Sequence, residues 1–142
     1  MGSDLPHSAA AIMHELLITE GKATGYDVTV NKRASDKQSL SIAIRDTGAI
    51  GTVQFMEGPT SEYPTIQIRV RGKSDDQKGP RTKIVALTEF LEGVKNHLMT
   101  IDGTNYRICT ITRLSPILPL QEDEKRRWEW TWNGSVSVTL EP

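Results

Sequence analysis

The sequence predicts an α+β fold, a mostly antiparallel β-sheet with two helices packed on one face. Three observations predict it. Segments of apolar–polar alternation recur along the chain, two stretches carry apolar residues at helical spacing, and strands and helices come in blocks rather than in regular βαβ succession. There is no internal repeat and no low-complexity stretch.

The first element is a helix over residues 4–20. Ala9, Ile12, Met13, Leu16 and Leu17 recur at i, i+3, i+4, i+7 and i+8, the spacing of one helical face. Asp4 or Ser8 can cap its start, Pro6 suits a first turn, and Gly21 is a stop. Tyr26–Val30 and Ser39–Arg45 alternate as strands, the second with Leu40, Ile42 and Ile44 inward, across a polar turn at Asn31–Gln38. Asp46–Tyr63, with three glycines and Pro59, reads as a long loop in which only Thr52–Met56 could be ordered.

Pro64–Leu98 is the most informative segment. Ile66, Ile68 and Val70 fall on one face of a strand, with Gln67, Arg69 and Arg71 presented on the other. After the polar turn Gly72–Gly79, Ile84, Leu87, Leu91, Val94 and Leu98 form the stripe of one long amphipathic helix, ending near His97. Asp102–Gly103 then turns the chain into the strand Thr104–Arg113. Ser115–Asp123 is a connector whose prolines bar it from a central strand.

In the closing segment parity decides between two structures. A hairpin at Asn133–Gly134 would put the tryptophans on a face with Ser137 and Thr139. One continuous strand instead puts Trp128, Trp130, Trp132, Val136, Val138 and Leu140 together, with Gly134 as a bulge or close-approach site. The continuous strand is the better solution. The tryptophan row is either monomer core or interface.

Composition bounds the function. The 142 residues are enough for one domain, 1–142, and 37% hydrophobic with 25% charged residues is ordinary for a globular chain. A net charge of −1 gives no global attraction to nucleic acid or anionic lipid. The short apolar runs exclude a membrane-spanning helix, and the start of the sequence shows no signal peptide. The single cysteine, Cys109, excludes an intrachain disulfide framework and reads as a buried structural thiol of a reducing cytoplasm.

Catalytic signatures are missing. His7 and His14 sit seven apart on the first helix as solvent-facing or cap-satisfying side chains, and no H-E-x-x-H or C-x-x-C supports a metal site. Asp75–Asp76 and Glu122–Glu124 read as solvated turns, and neither glycine-rich stretch matches a phosphate loop. No catalytic, cofactor-binding or metal-ligating residue is assigned. Arg69, Arg71, Lys73, Arg81 and Lys83, with Lys125–Arg127, could meet phosphates, but the near-neutral total argues against a nucleic-acid-binding module.

Four stretches carry a resemblance. They are the opening helix, IAIRDTG at Ile42–Gly48, YPTIQIRVRG at Tyr63–Gly72 with the helix after it, and DEKRRWEWTWNGSVSV at Asp123–Val138. In that order they resemble the tail terminator proteins of long-tailed bacteriophages, also labelled minor capsid or tail completion proteins. That family tends to show a strand ending in a Gly turn, then a proline-led strand with Gln and Arg and a helix. It closes on a strand with Arg, an aromatic and Asn. Gln67, Arg71, Arg127 and Asn133 match those positions.

The resemblance implies a non-enzymatic virion protein of the tail–neck junction, assembled in the bacterial cytoplasm. It implies a hexameric ring that caps the tail tube and docks a head-closure or neck protein, with DNA passing through the lumen unread. Another neck component, a head-closure or connector protein, is the alternative. A closed ring needs two different matching surfaces per subunit. Candidates for subunit or partner contact are Gln67, Arg69, Arg71, Arg126, Arg127, Trp128, Trp130 and Asn133 on the two marked strands, with the loop Asp46–Tyr63 for the tube. The basic turn Asn31–Lys37 and the charged GKSDDQKG loop depart from the family pattern.

Overall fold

The computed structural model describes residues 6–32, 40–54, 60–120 and 122–141. Their elements run α1 (Ala9–Thr19), β1 (Asp27–Val30), β2 (Ser41–Gln54), β3 (Thr60–Ser74), α2 (Lys78–Glu92), β4 (Lys95–Ile101), β5 (Thr104–Arg113), β6 (Leu118–Leu120) and β7 (Arg127–Leu140). The strands form one sheet ordered β1-β2-β3-β7-β5-β4, with β6 beside β7. Only β1–β2 is parallel; every other pairing is antiparallel. The α+β class, with both helices on one sheet face, is therefore the observed architecture.

Helix α1 begins where Ser8 Oγ accepts a hydrogen bond from Ala11 N at 3.2 Å. It ends as a Schellman turn: Lys22 N donates to Leu17 O and Gly21 N to Ile18 O, with Gly21 at φ +68°. Its five periodic residues are all buried. They meet Ile42 and Ile44 of β2, Ile66, Ile68 and Val70 of β3, and Ile84, Leu87 and Leu91 of α2. Burying each such side chain is worth about 1.5–3 kcal/mol, so this layer carries most of the stability.

Three boundaries differ from expectation. Helix α2 stops at Glu92, where Gly93 N and Val94 N close three-residue turns onto Phe90 O and Leu91 O. Lys95–Ile101 is instead strand β4, paired antiparallel with β5. The spacing of Val94 and Leu98 suits either period, and two facts decide for a strand. Gly93 weakens helix propagation, and Asp102–Gly103, both at positive φ, form the two-residue hairpin turn. His97 thus lies on β4, and Leu98 is 59% exposed rather than part of a helical stripe.

The second correction concerns Asp46–Tyr63, expected as a loop. β2 runs on to Gln54 and β3 begins at Thr60, paired through Gln54↔Thr60. Since β7 pairs with β3 only as far as Thr65↔Ser135, the two strands continue beyond the sheet as a two-stranded arm. A register shift between Asp46 and Gly48, with Gly48 at φ +117°, marks its base. Phe55–Pro59, including the end of the expected Thr52–Met56 segment, lies outside the described residues, as do Asp4 and most of the basic turn Asn31–Lys37.

Third, the proline-rich connector does pair, as β6, but only as a three-residue strip beside β7, the edge setting in which Pro119 is tolerated. β7 is one continuous strand, as parity required, and Gly134 is a close-approach site. A Cβ there would sit 2.1 Å from Trp132 Cη2. Gly72 is a second such point, where a Cβ would meet Pro80 Cδ at 2.6 Å and push the start of α2 off β3.

Candidate functional site

Alternation splits the sheet into two chemistries. Its apolar face takes both helices. The opposite face has no helix on it among the described residues, and register aligns its side chains into polar rows. One row runs Arg45–Gln67–Asn133, the next Ala43–Arg69–Thr131, and the third Ser41–Arg71–Glu129.

These rows are wired together. Arg69 Nε donates to Gln67 Oε1 at 2.9 Å, and Gln67 Nε2 to Asn133 Oδ1 at 3.3 Å. Asn133 Nδ2 then donates to Ser115 Oγ at 3.2 Å, while Asn133 O accepts from Leu114 N. Arg69 is otherwise only 4.0 Å from Glu129, an ion pair worth little at a partly exposed site. Arg45 has no hydrogen-bond or ion-pair partner among the described residues, and its Nε is buried. This leaves a pre-ordered surface of donors and positive charge, suited to holding a polar protein surface.

The sequence-chosen residues divide accordingly. Gln67, Arg69 and Asn133 come together on the open face. Arg71, expected as exposed, is only 5% exposed, in register with Ser41 and Glu129. Arg127 is 2% exposed, its Nε and Nη2 both within 2.8 Å of Asp123 Oδ2. Burial alone would raise the Asp123 pKa, but hydrogen bonds and charge from Arg127 outweigh it and hold the carboxyl below its ordinary value. Arg126 sits in the turn before β7, paired to Asp75 at 2.9 Å. Trp130 points to the helix face and joins the core there. It is 7% exposed and donates through Nε1 to Gln77 O, while Trp128 is half-buried.

Four features went unread in the sequence. Arg45 shares the parity of Ser41 and Ala43 and could have been placed on the open face. Asp46 could not: its Oδ1 accepts from Ala10 N at 2.9 Å and its Oδ2 from Asn31 Nδ2 at 2.6 Å, clamping the arm's base to the start of α1. His7 lies before α1, not on it, and is neither free in solvent nor a cap. Its backbone N donates to Tyr106 Oη, its Nδ1 bonds the same oxygen, and its Nε2 lies 3.3 Å from Asp102. Tyr106 is fully buried, so this Tyr–His–Asp set latches the segment before α1 to β5 and to the β4–β5 turn. Cys109 is half-buried at a bulge in β5, not a core thiol. Among the described residues no group of three His, Cys, Asp or Glu side chains is placed to hold a metal ion, and no helix is long and apolar enough to cross a membrane.

No protein-family model matches the sequence, and no curated protein does. Solved structures share its fold. One is a chain of the virion of a native gene transfer agent particle, with a TM-score of 0.62 over 93% of this chain and 98% of that one, at 10% identity. Another reaches a TM-score of 0.52 over 95% of this chain and 99% of its own, at 14% identity. At such identities the likeness is one of fold, and it spans nearly the whole chain in both directions.

Proposed function

We propose that this protein is a virion structural protein, without enzymatic activity, of the tail-terminator kind. In this reading it caps the tail tube, stops its elongation and forms the surface for head–tail joining. The observation that carries the proposal is the near end-to-end fold likeness to a chain of a gene transfer agent virion. The family-like stretches around Gln67 and Asn133, which cross-pair on the open face, support it. The working form is a homo-oligomeric ring, hexameric by the family resemblance, between tail-tube protein and a head-closure or neck protein, with DNA passing through its lumen.

Arg69, Gln67 and Asn133 supply one contact surface in this scheme, and the β2–β3 arm reaches toward a neighbour or the tube. The test is light scattering and negative-stain microscopy of the protein alone and mixed with tail-tube protein, for wild type and Arg69→Glu. Arg69 is partly exposed, and its reversal abolishes ring or cap formation in a protein whose thermal melt shows that it is still folded. Wild-type protein that neither assembles nor caps tubes, yet binds portal-side neck protein, would move the reading to a head-closure or connector protein.

A further inference from the structure

The net charge of −1 conceals a segregation of charge on the helix layer. Lys78, Arg81 and Lys83 lie on the first half of α2. Lys22 joins them from the turn after α1, and Lys73 from the end of β3, just before the β3–α2 turn. None of the five has an ion-pair partner among the described residues. Of the nearby acids, Asp75 holds Arg126, while Asp76, whose Oδ1 accepts from Gly79 N at 2.9 Å, leaves one carboxylate charge at the edge of the patch. Three of the cations rest on aromatic rings, Lys22 on Phe90 and Lys83 on Tyr26 at 5.0 Å, Arg81 on Trp130 at 5.4 Å. Lys83 also donates to Lys22 O at 2.6 Å. Its pKa is lowered by burial and then by the Lys22 charge.

We infer that this basic half of α2, with Lys22 and Lys73, is a docking surface for the phosphate backbone of duplex DNA. Charge complementarity selects an anionic polymer, and residue type selects phosphate. Four of the five cations are lysines, which protein–protein interfaces deplete and which meet phosphate oxygens as point charges. The rings select duplex over single strand. Each lies beneath a cation, so no aromatic face is offered for a base to stack on, and contact is limited to the backbone. Binding is accordingly weak and independent of sequence. Lys22, Lys78, Arg81 and Lys83 belong to the helix layer, across the sheet from Arg69, so the surface does not depend on the ring reading and is measurable on the monomer.

The experiment titrates a fluorescent mixed-sequence duplex with full-length protein across salt concentrations. Four to five phosphate contacts give a log–log slope of about −4, so affinity falls about 250-fold from about 50 to about 200 mM salt. Lys78→Gln with Arg81→Gln removes two contacts, flattens the slope to about −2 and reduces that loss to about 20-fold. Both side chains are exposed, and an unchanged thermal melt verifies the fold. Arg69→Gln leaves the slope as in wild type. No salt-dependent binding by wild type overturns the inference. So does a slope that responds to Arg69→Gln and not to the α2 pair, or capture of poly-glutamate without capture of DNA. The last result would assign the patch to an acidic protein.

Discussion

Replacing Gly134 by alanine isolates the close approach that organises β7. In an ordinary strand this change would be neutral or favourable by about 0.5–1 kcal/mol, since it removes backbone freedom from the unfolded chain. Here the added methyl would meet three atoms of the Trp132 six-membered ring, at 2.1, 2.7 and 2.7 Å. Trp132 is fully buried in the main core, so the indole cannot swing into solvent and must push on its neighbours. Overpacking of this kind costs about 1–3 kcal/mol, and a displaced tryptophan adds to it; a net loss of about 2–3 kcal/mol is expected. For a chain of this size that lowers the melting temperature by about 8–12 °C. Urea unfolding followed by circular dichroism reads the change directly. The partner test is Trp132→Leu, which removes the colliding ring. Its cost is packing alone, because the indole Nε1 has no hydrogen-bond partner to lose. Combined with Gly134→Ala it should lose at least about 1 kcal/mol less than the two single costs together. A Gly134→Ala protein as stable as wild type, or strict additivity in the double variant, would refute the steric account.

Asp123 carries stability that is present above about pH 4 and lost as pH falls through its depressed folded pKa, so Asp123→Asn should flatten the acid limb of a melting-temperature profile. Tyr106 behaves in the opposite sense. Burial, with the Asp102 charge, raises its pKa against the His7 backbone hydrogen bond, so its contribution holds below about pH 10 and fades above it. Tyr106→Phe should reduce that alkaline loss, leaving the share of Tyr26, which burial and Asp76 also raise. Asp46→Ala removes acceptors for Ala10 N and Asn31 Nδ2, costs about 1–2 kcal/mol, and should speed amide exchange at Ala10 well before the core amides. Unchanged exchange there would show that the clamp does not hold the start of α1.

Legibility followed period and parity. Every residue assigned to the α1 stripe is buried, as are Ile66, Ile68 and Val70, because one layer of helices makes a clean two-sided sheet. Parity alone also settled the continuous β7 against the Asn133–Gly134 turn signal. It failed at Val94–Leu98, where five residues cannot separate a period of 3.6 from a period of 2, and the Gly93 and Asp102–Gly103 punctuation should have weighed more. It failed again at Asp46–Tyr63, where β2 and β3 pair with each other across register shifts at Asp46/Gly48 and Ala49/Thr52 that interrupt a simple alternation.

The candidate site was legible in its residues but not in their exposure. Gln67 and Asn133 came from the motif resemblance and Arg69 from its strand face, and cross-strand register is what turns them into a connected row with Ser115. Register is a pairwise property, and no single strand records which neighbour flanks it. Arg71 shows the limit of parity: it lies two positions along the strand from Arg69, flanked by the same strands β2 and β7, yet it is only 5% exposed. Outward parity therefore predicts the face a side chain occupies and not its accessibility. For this protein that difference separates Arg69, which can be reversed to test assembly, from Arg71, whose reversal would test only folding.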